Sequence, residues 1–433
     1  MHQYNFLPRL ATKIYCSLDL CSLPLEPEYI AAEPMKLNQG LQLAYCTNVH
    51  RGETWAETFA SLSSCTLAVR QRVCPDAPYA IGLRLSGRAA RELSDPATLR
   101  LFQLWLAKNH CYVFTINGFP FGQFHGTCVK ERVYLPDWTS RERLDYTNCL
   151  FDLLAQLLPA DLEGSVSTVP CGFKELVTTA EEMQIIRAQL WRCVEHIARV
   201  SAQTGRRLHL GLEPEPLCLL ETSGEVIHFF DRMRAEHRND PRLAEHLGVN
   251  YDTCHLAVEF EEPQNVIACF DQHGIKISKL HLSSALKVRP TAEARAALAA
   301  FADRVYLHQV VVRQGDGKCV IYRDLDDALI GEPMEPGTEG NEEVSTLSEW
   351  RIHFHVPLHS PPTPLFDNTA DHLLGVLDIL QARPGLCSHL EMETYTWEVL
   401  PPELKDRDVV SQLVAEYEWT LARLAERGLY QKG

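Results

Sequence analysis

Ionisable residues mark four successive apolar segments in the second half of the chain. One segment ends at Glu213, the next ends at Asp252, and a third contains His281. The last segment carries both Glu391 and Glu393. In a parallel barrel the carboxyl ends of the strands meet at one rim, where catalytic groups lie. Carboxylates and one imidazole suit Mn²⁺, Mg²⁺, Fe²⁺ or Zn²⁺. The sequence therefore predicts one divalent-metal site at this rim, built from Glu213, Asp252, His281 and a glutamate of the last strand.

Eight short apolar segments of β type alternate with helical patterns, which is typical of βα units around a parallel sheet. The predicted strands cover residues 41–47, 79–86, 111–117, 164–169, 208–213, 248–252, 275–282 and 389–394. Capping boxes at Thr54/Glu57 and Thr179/Glu182 indicate that helices begin there, between the predicted strands. Gly205 is expected to end the second of these helices. This pattern predicts an α/β fold, a (β/α)8 TIM barrel.

The chain divides into an N-terminal extension and one barrel. Residues 1–34 contain no long periodic element and end in a Pro-rich stretch, so we expect an extension outside the core, followed by the barrel over 35–433. More than a hundred residues separate His281 from His389, too many for one βα unit. We therefore predict an insertion between strands seven and eight, at about 300–360, which covers the barrel mouth and includes a mobile acidic loop at 331–346.

Composition narrows the partners and the compartment. The net charge is −16 without a basic run, which disfavours a nucleic-acid partner. No apolar run approaches the ~20 residues needed to span a bilayer, so no membrane span is expected. The 15 cysteines are odd in number and scattered, which favours free thiols in a reducing compartment. We therefore expect a cytoplasmic protein with a small-molecule substrate or metabolite as its partner.

Several motifs resemble known families. Residues 252–259 (DTCHLAVE) resemble the D-T-x-H-x-x-x-E stretch of the xylose-isomerase-like TIM-barrel superfamily, which contains sugar isomerases, ketose 3-epimerases and endonuclease-IV-type barrels. A closer resemblance is to the EboE family, from about Met35 to the C-terminus. It is carried by residues 45–55 (YCTNVHRGETW), 117–122 (NGFPFG), 353–357 (HFHVP) and 393–397 (ETYTW). EboE proteins are xylose-isomerase-like barrels of bacterial gene clusters implicated in secondary-metabolite traffic.

The superfamily resemblance implies a metal-dependent sugar or sugar-phosphate isomerase or epimerase. Carried over residue by residue, it implies Glu213, Asp252, His281 and Glu393 as metal ligands. Glu213 and Glu393 would also be the catalytic groups that move a proton. Glu393 is favoured over Glu391 because Glu393-Thr394 resembles the E-T of the endonuclease-type last strand. The EboE resemblance implies no established reaction, but it implies possible protein partners encoded in the same cluster.

Further residues are candidates for contacts with the substrate, each with a structural alternative. His255 is implied as a substrate-binding or second-metal residue. The endonuclease-type pattern at this place is D-x-H, whereas this chain has His353-Phe-His355. His353 replaces the aspartate of that pattern, so a trinuclear zinc site is disfavoured. The candidate substrate-binding residues are His255, His125, Asn117, Glu391, His353, His355 and Trp397. Their structural alternatives are loop hydrogen bonds, turn formation, support of a neighbouring ligand, core packing and, for His353 and His355, the polar face of an added strand.

Two functions follow from these observations. The first is a metal-dependent isomerase- or epimerase-like enzyme acting on a small polyhydroxylated or carbonyl compound. The alternative is a barrel without turnover that binds or hands over a metabolite within an assembly. Phosphodiester cleavage in DNA is disfavoured by the acidic charge and by His353.

Overall fold

The computed structural model describes residues 35, 37–126, 129–302, 304–331, 348–401, 405 and 407–431. The predicted N-terminal extension lies outside the described residues, and so does the predicted acidic loop apart from its first residue. The strands of the described residues are β1 (Gln42–Tyr45), β2 (Tyr79–Arg84), β3 (Cys111–Asn117), β4 (Glu163–Thr168), β5 (Arg207–Leu212), β6 (Leu247–Asp252), β7 (Lys276–Leu282), β8 (Ala285–Val288), β9 (Val310–Arg313), β10 (Cys319–Tyr322), β11 (Glu349–His355), β12 (Phe366–Asn368) and β13 (His389–Met392).

Eight of these strands form a parallel barrel. Their order is β1-β13-β7-β6-β5-β4-β3-β2, and every ladder is parallel. A parallel bridge between Cys46 and Gly82 closes the circle between β1 and β2. The eight strands predicted from the sequence are thus confirmed, within a residue or two at their ends. Each strand of the barrel pairs with the next around the circle, so the carboxyl ends of the strands form one continuous rim.

Helices alternate with the strands of the barrel, as the sequence pattern predicts. They are α1 (Trp55–Ser61), α2 (Leu67–Val73), α3 (Gly87–Leu93), α4 (Pro96–Lys108), α5 (Arg141–Leu157), α6 (Ala180–Thr204), α7 (Ser223–Glu236), α8 (Pro241–His246), α9 (Thr253–Val258), α10 (Pro263–Gln272), α11 (Ala292–Leu298), α12 (Leu325–Ile330), α13 (Ala370–Ala382) and α14 (Val409–Glu426). Two short helices, α11 and α12, pack on the insertion between β7 and β13 instead. A π-helical turn (Leu62–Thr66) joins α1 and α2, and a 3₁₀ helix (Tyr395–Val399) follows β13. Both predicted capping boxes are confirmed.

Helix α6 illustrates how the barrel is held together. Its apolar face, which includes Ile186, Leu190, Cys193 and Ile197, is fully buried because these side chains recur every three or four residues on one side. The helix ends at Gly205, which has a φ of 69°. Glycine reaches this left-handed conformation without the penalty that a Cβ brings. The predicted helix end is therefore confirmed.

The insertion is a second sheet between β7 and β13. Its five antiparallel strands have the order β10-β9-β11-β8-β12, and they enclose a separate apolar cluster that includes Val310, Ile352 and Phe354. The sheet begins at Ala285 and ends at Asn368, so it is wider than the predicted 300–360. Strand β8 has only four residues and follows β7 after two. A segment this short has no periodicity that separates it from the preceding strand.

Two further findings concern the cysteines and the apolar character of the helices. The twelve cysteines among the described residues are all free thiols. Among the helices of the described residues, none combines the length and the apolar character that crossing a membrane requires.

Candidate active site and metal centre

Four side chains predicted as ligands converge at the carboxyl end of the barrel. The register places Asp252 beside His281 across the β6–β7 ladder. Glu213 follows β5 directly, and the backbone N–H of Glu393 continues the β13–β7 pairing by donating to Leu282. One donor atom from each of Glu213, Asp252, His281 and Glu393 lies within 4.8 Å of the others, and all four residues are buried. The structure therefore gathers the four residues around a common point.

The imidazole of His281 is the centre of this group. Its Nδ1 atom lies 2.8 Å from Oε1 of Glu213 and 3.2 Å from Oε2 of Glu393. The same atom lies 3.5 Å from Oδ2 of Asp252. We refer to Glu213, Asp252, His281 and Glu393 as the ligand cluster. Three carboxylates and one imidazole within this distance are a donor set that suits a divalent cation.

Asp252 is also the N-cap of helix α9. Its Oδ1 atom accepts hydrogen bonds from the backbone N–H groups of Cys254 (2.7 Å) and His255 (3.1 Å), and from the hydroxyl of Ser283 (2.6 Å). Its Oδ2 atom is buried and has no hydrogen-bond partner. A buried carboxylate oxygen without a partner is costly unless a cation compensates it. The capping contacts fix one oxygen and leave the other directed at the ligand cluster, so the residues present fit a bound cation.

The charge around the cluster also favours a cation. Among the described residues, the basic side chain with an ion pair next to the ligand cluster is Lys279. It pairs with Glu391, which does not belong to the cluster. Burial lowers the pKa of His281, but the carboxylates of Glu393 and Glu213 outweigh it and hold the pKa well above its usual value. Without a metal, His281 is therefore the cation of the cluster. A divalent cation would take over this role and leave the imidazole neutral.

Glu391 lies behind His281. Its Oε2 atom accepts from Nε2 of His281 at 2.8 Å and from Nζ of Lys279 at 2.5 Å, and Glu391 is not among the residues that line the cavity described below. The sequence left open whether Glu391 supports a ligand or contacts substrate. Its position favours support, because the bond from Nε2 fixes the ring so that Nδ1 faces the cluster. Lys279 is a residue that the sequence reasoning missed, although a lysine two residues before His281 on one strand face was a visible signal.

Two asparagines hold Glu393. The Nδ2 atom of Asn48 donates to Oε1 of Glu393 at 2.6 Å, and that of Asn117 donates to the same oxygen at 3.3 Å. The Oδ1 atom of Asn117 accepts from the backbone N–H of Phe119. Asn117 is thus engaged at both ends with protein groups, and a substrate contact at this residue stays a prediction. The role of both asparagines is to leave Oε2 of Glu393 facing His281.

Three buried histidines stand on the insertion side of the cluster. Nδ1 of His255 donates to the carbonyl of Pro214 at 2.9 Å, and Nδ1 of His355 donates to the carbonyl of Glu393 at 2.9 Å. Nδ1 of His353 lies 2.8 Å from Oε1 of Gln309. The Nε2 atoms of His353 and His355 are buried without a hydrogen-bond partner. Burial lowers the pKa of both residues, so each of these two rings is neutral with a lone pair on Nε2.

These histidines form a second group of donors that shares Asp252. Asp252, His255 and His355 each place one donor atom within 4.8 Å of the other two. The rings of His255 and His353 lie 4.5 Å apart between centroids. The free Nε2 lone pairs could accept hydrogen bonds from a substrate or bind a second cation. The structure thus brings three predicted substrate-binding residues next to the ligand cluster.

Two predicted residues do not reach the cluster. Nε2 of His125 donates to the carbonyl of Asn48 (2.6 Å), and its Nδ1 accepts from the hydroxyl of Tyr306 (2.7 Å). Both ring nitrogens are therefore used, and the structural alternative for this loop histidine fits its position. The ring of Trp397 lies under the ammonium group of Lys405 at 4.1 Å and packs between the two apolar clusters. It does not line the cavity.

A cavity opens above the ligand cluster. Its lining residues are Asn48, Phe119, Pro120, Phe124, Val129, Lys130, Val133, Tyr134, Glu213, Glu215, His255, Tyr306, Leu307, His353, Glu393 and Tyr395. Glu215 was not singled out from the sequence, although it lies two residues after Glu213 in the same Glu-Pro-Glu-Pro segment. Burial raises its pKa to about 7, and its Oε1 accepts from the hydroxyl of Tyr134 at 2.5 Å.

Comparisons with known proteins give similarity to solved structures at low identity. A xylose isomerase-like TIM barrel protein from Mycobacterium smegmatis in complex with magnesium matches with a TM-score of 0.48 and 11% identity, over 89% of this chain and 97% of that chain. The IOLI protein with a bound zinc atom matches with a TM-score of 0.45 and 10% identity, over 89% and 99%. A D-allulose 3-epimerase from Methylomonas sp. matches with a TM-score of 0.45 and 13% identity, over 91% and 100%.

No family model matches this chain, and no curated protein matches it. The fold assignment therefore rests on the strand order and register of the chain itself. The resemblance to the EboE family stays an expectation from the sequence motifs.

Proposed function

We propose that this chain is a metal-dependent isomerase or epimerase that moves a proton on a small carbonyl compound, with Glu213, Asp252, His281 and Glu393 as the metal ligands. The observation that carries the proposal is the convergence of these four donors from four neighbouring strands within 4.8 Å. The unpartnered Oδ2 atom of Asp252 supports it as well. A surface ion-pair network would not bury its donors or leave one oxygen without a partner.

Proton transfer is assigned to the two glutamates of the cluster. A divalent cation at this position would polarise a carbonyl and its adjacent hydroxyl and so acidify the C–H between them. Glu213 and Glu393 reach the site from β5 and β13, which are separated in the barrel by β6 and β7. One carboxylate removes the proton from carbon, and the other returns a proton to the neighbouring atom or the opposite face. His353 and His355 accept hydrogen bonds from substrate hydroxyls through Nε2.

A second candidate is a metabolite-binding barrel that has no turnover and works with proteins of its gene cluster. It follows from the resemblance to the EboE family, and the largely apolar and aromatic wall of the cavity favours it. Such a protein would use the ligand cluster to hold a metabolite rather than to convert it. Both candidates require a small-molecule partner, and they differ in whether a carbon-bound proton exchanges.

The metal site is tested by calorimetric titration of the chelator-treated protein with Mn²⁺. We expect saturable binding by the wild-type protein, and a loss of at least about 100-fold in affinity for Glu213→Gln and Asp252→Asn because each removes one ligand charge. The thermal midpoint should stay close to that of the wild type, since residues at this rim lie outside the layered core of the barrel. Glu181→Gln, which changes an exposed carboxylate on α6, serves as the control. Full Mn²⁺ affinity in either ligand variant would refute the site assignment.

Turnover is tested by deuterium incorporation. A panel of ketoses and α-hydroxy ketones is incubated in D₂O with the Mn²⁺-loaded protein, and NMR follows the C–H next to the carbonyl. An isomerase or epimerase incorporates deuterium at that carbon in at least one compound, and Glu213→Gln abolishes the exchange. Binding without any exchange would favour the metabolite-binding alternative.

A further inference from the structure

The wall of the cavity above the ligand cluster is formed mainly by rings and aliphatic groups. Phe119, Phe124, Tyr306 and Tyr395 lie among its lining residues, together with Leu307. The rings of Tyr306 and Tyr395 are 5.4 Å apart in an edge-to-face arrangement. Such rings offer a large apolar contact surface at small conformational cost. The wall is thus suited to the carbon skeleton of a ligand rather than to its hydroxyl groups.

Two hydroxyl groups of this wall, those of Tyr134 and Tyr306, are already paired with protein groups. The hydroxyl of Tyr134 donates to Glu215 and accepts from Nε2 of Gln309 at 2.9 Å. The hydroxyl of Tyr306 bonds to Nδ1 of His125, as described above. A polyhydroxylated sugar would bury several hydroxyls against this wall, and each one without a partner would weaken binding. Among the lining residues, buried acceptors without a partner are Nε2 of His353 and Oδ1 of Asn48, whose Nδ2 donates to Glu393 of the ligand cluster.

The wall also offers little to a phosphate group. Among the described residues that line the cavity, Lys130 is the only lysine or arginine. Its ammonium nitrogen lies 2.6 Å from Oδ2 of Asp324, so its charge is already compensated. Phosphate groups in proteins are usually held by uncompensated Arg or Lys side chains or by exposed helix N-termini. The cavity lining therefore favours a substrate without phosphate.

We infer that the substrate is an α-hydroxy ketone or related vicinal oxygen compound carried on a largely apolar skeleton. This inference rests on the proposed function, because the two adjacent oxygens are placed at the ligand cluster and at His353. The remaining carbon atoms lie against the aromatic wall. The inference goes beyond the proposed function in excluding open-chain polyols and sugar phosphates as preferred ligands.

The test compares two probes on the Mn²⁺-loaded protein by calorimetry. Tropolone is an α-hydroxy ketone on an apolar seven-membered ring, whereas D-fructose is a polyhydroxylated sugar whose open-chain form is an α-hydroxy ketone. We expect tropolone to bind at least 10-fold more tightly than D-fructose. Asp252→Asn with Mn²⁺ in the same buffer controls for tropolone that binds free metal. Equal or tighter binding of D-fructose would overturn the inference.

A pair of wall variants makes the test specific to the aromatic surface. Tyr395→Ala removes a ring of the wall, and Tyr395→Phe keeps the ring. We expect a loss of at least 10-fold in tropolone affinity for the first variant and a change below about twofold for the second, with Mn²⁺ affinity unchanged in both. Phe119→Ala repeats the comparison on a different loop. Unchanged tropolone affinity in both alanine variants would overturn the inference while Mn²⁺ binding still supports the proposed function. Absence of Mn²⁺ binding by the wild type would refute both.

Discussion

The Nε2 atom of His281 lies 2.8 Å from Oε2 of Glu391, and this contact fixes which ring nitrogen faces the ligand cluster. Because a carboxylate can only accept, Nε2 carries a hydrogen. With a cation bound, the ring would lose the hydrogen of Nδ1 instead and present a lone pair to the cluster. Lys279 contacts the same carboxylate and balances its charge. The buried contacts of Glu391 with Lys279 and His281 thus orient the imidazole ring of a predicted metal ligand.

The first prediction concerns the contact between Glu391 and His281. Glu391→Gln keeps the shape of the side chain but removes the charge that fixes the His281 tautomer, and it leaves Lys279 without its counter-charge. We expect Mn²⁺ affinity to fall by about 10- to 100-fold, the usual effect of losing a partner behind a metal-bound histidine. Titration calorimetry measures the affinity, and a thermal melt reports the fold.

The matched control is Glu163→Gln. Glu163 is also a carboxylate on a barrel strand in contact with a lysine, Lys276 at 3.1 Å, but it begins β4 at the opposite end of the barrel. Its loss should change stability without changing Mn²⁺ affinity. If Glu391→Gln bound Mn²⁺ as tightly as the wild type, the orienting role would be wrong.

The barrel and the convergence of four side chains could be predicted from the sequence. Both follow from the periodicity of apolar residues and from the order of the strands along the chain. Alternation along a strand determines which side chains share a face, and the rule that carboxyl ends meet at one rim places Glu213, Asp252 and His281 together. The choice of Glu393 over Glu391 on the last strand needed the family resemblance as well, because both side chains share one face. The role of these residues as ligands stays a prediction that the experiments above test.

The partners across the barrel could not be predicted in the same way. Period alone says that Lys279 and His281 face the same side, but not that Glu391 would lie against both. The aromatic wall is harder to predict, because Phe119, Tyr306 and Tyr395 come from three segments outside the strands and α-helices that are distant in the chain. Loop conformation depends on tertiary contacts rather than on a repeating pattern. A single sequence therefore indicates candidate ligands more readily than the lining of the cavity above them.

The second prediction concerns the close approach of β2 to Glu391. A Cβ added at Gly82 would lie 2.0 Å from Oε1 of Glu391 and 2.6 Å from the carbonyl oxygen of Tyr45. Neither neighbour can move freely, since one is fixed by Lys279 and the other is backbone. We expect Gly82→Ala to destabilise the fold by about 1–3 kcal/mol, the usual range for overpacking a buried site. It should also lower Mn²⁺ affinity, because Glu391 is displaced from His281.

Urea denaturation measures the stability of the Gly82 variant. Gly122→Ala is the control, since a Cβ at Gly122 has no heavy atom within 4 Å. We expect that variant to unfold at nearly the wild-type urea concentration. A Gly82→Ala protein with wild-type stability and wild-type Mn²⁺ affinity would show that Glu391 can shift without consequence.

The third prediction concerns Glu416, a fully buried carboxyl group on α14. Burial raises its pKa from a usual value near 4.5 to about 7, against hydrogen bonds from the Thr394 hydroxyl (2.7 Å) and the Leu358 backbone N–H (3.2 Å). A carboxyl whose pKa is raised in the folded state favours folding while it is protonated. Its contribution is therefore complete below about pH 4.5 and is lost as the pH rises through 7.

Glu416→Gln should remove this pH dependence. We expect the free energy of unfolding of the wild type to fall relative to that of the variant between pH 5 and pH 8, by roughly 2–4 kcal/mol for a shift of this size. Urea denaturation at several pH values measures the difference, and Glu418→Gln, an exposed position on the same helix, is the control that should run parallel to the wild type. A constant difference between wild type and Glu416→Gln over this range would mean that Glu416 ionises in the folded protein as it does in the unfolded chain. Because Thr394 bonds to Glu416 and follows Glu393 directly, the same series with Mn²⁺ present shows whether ionisation of this buried carboxyl is transmitted to the ligand cluster.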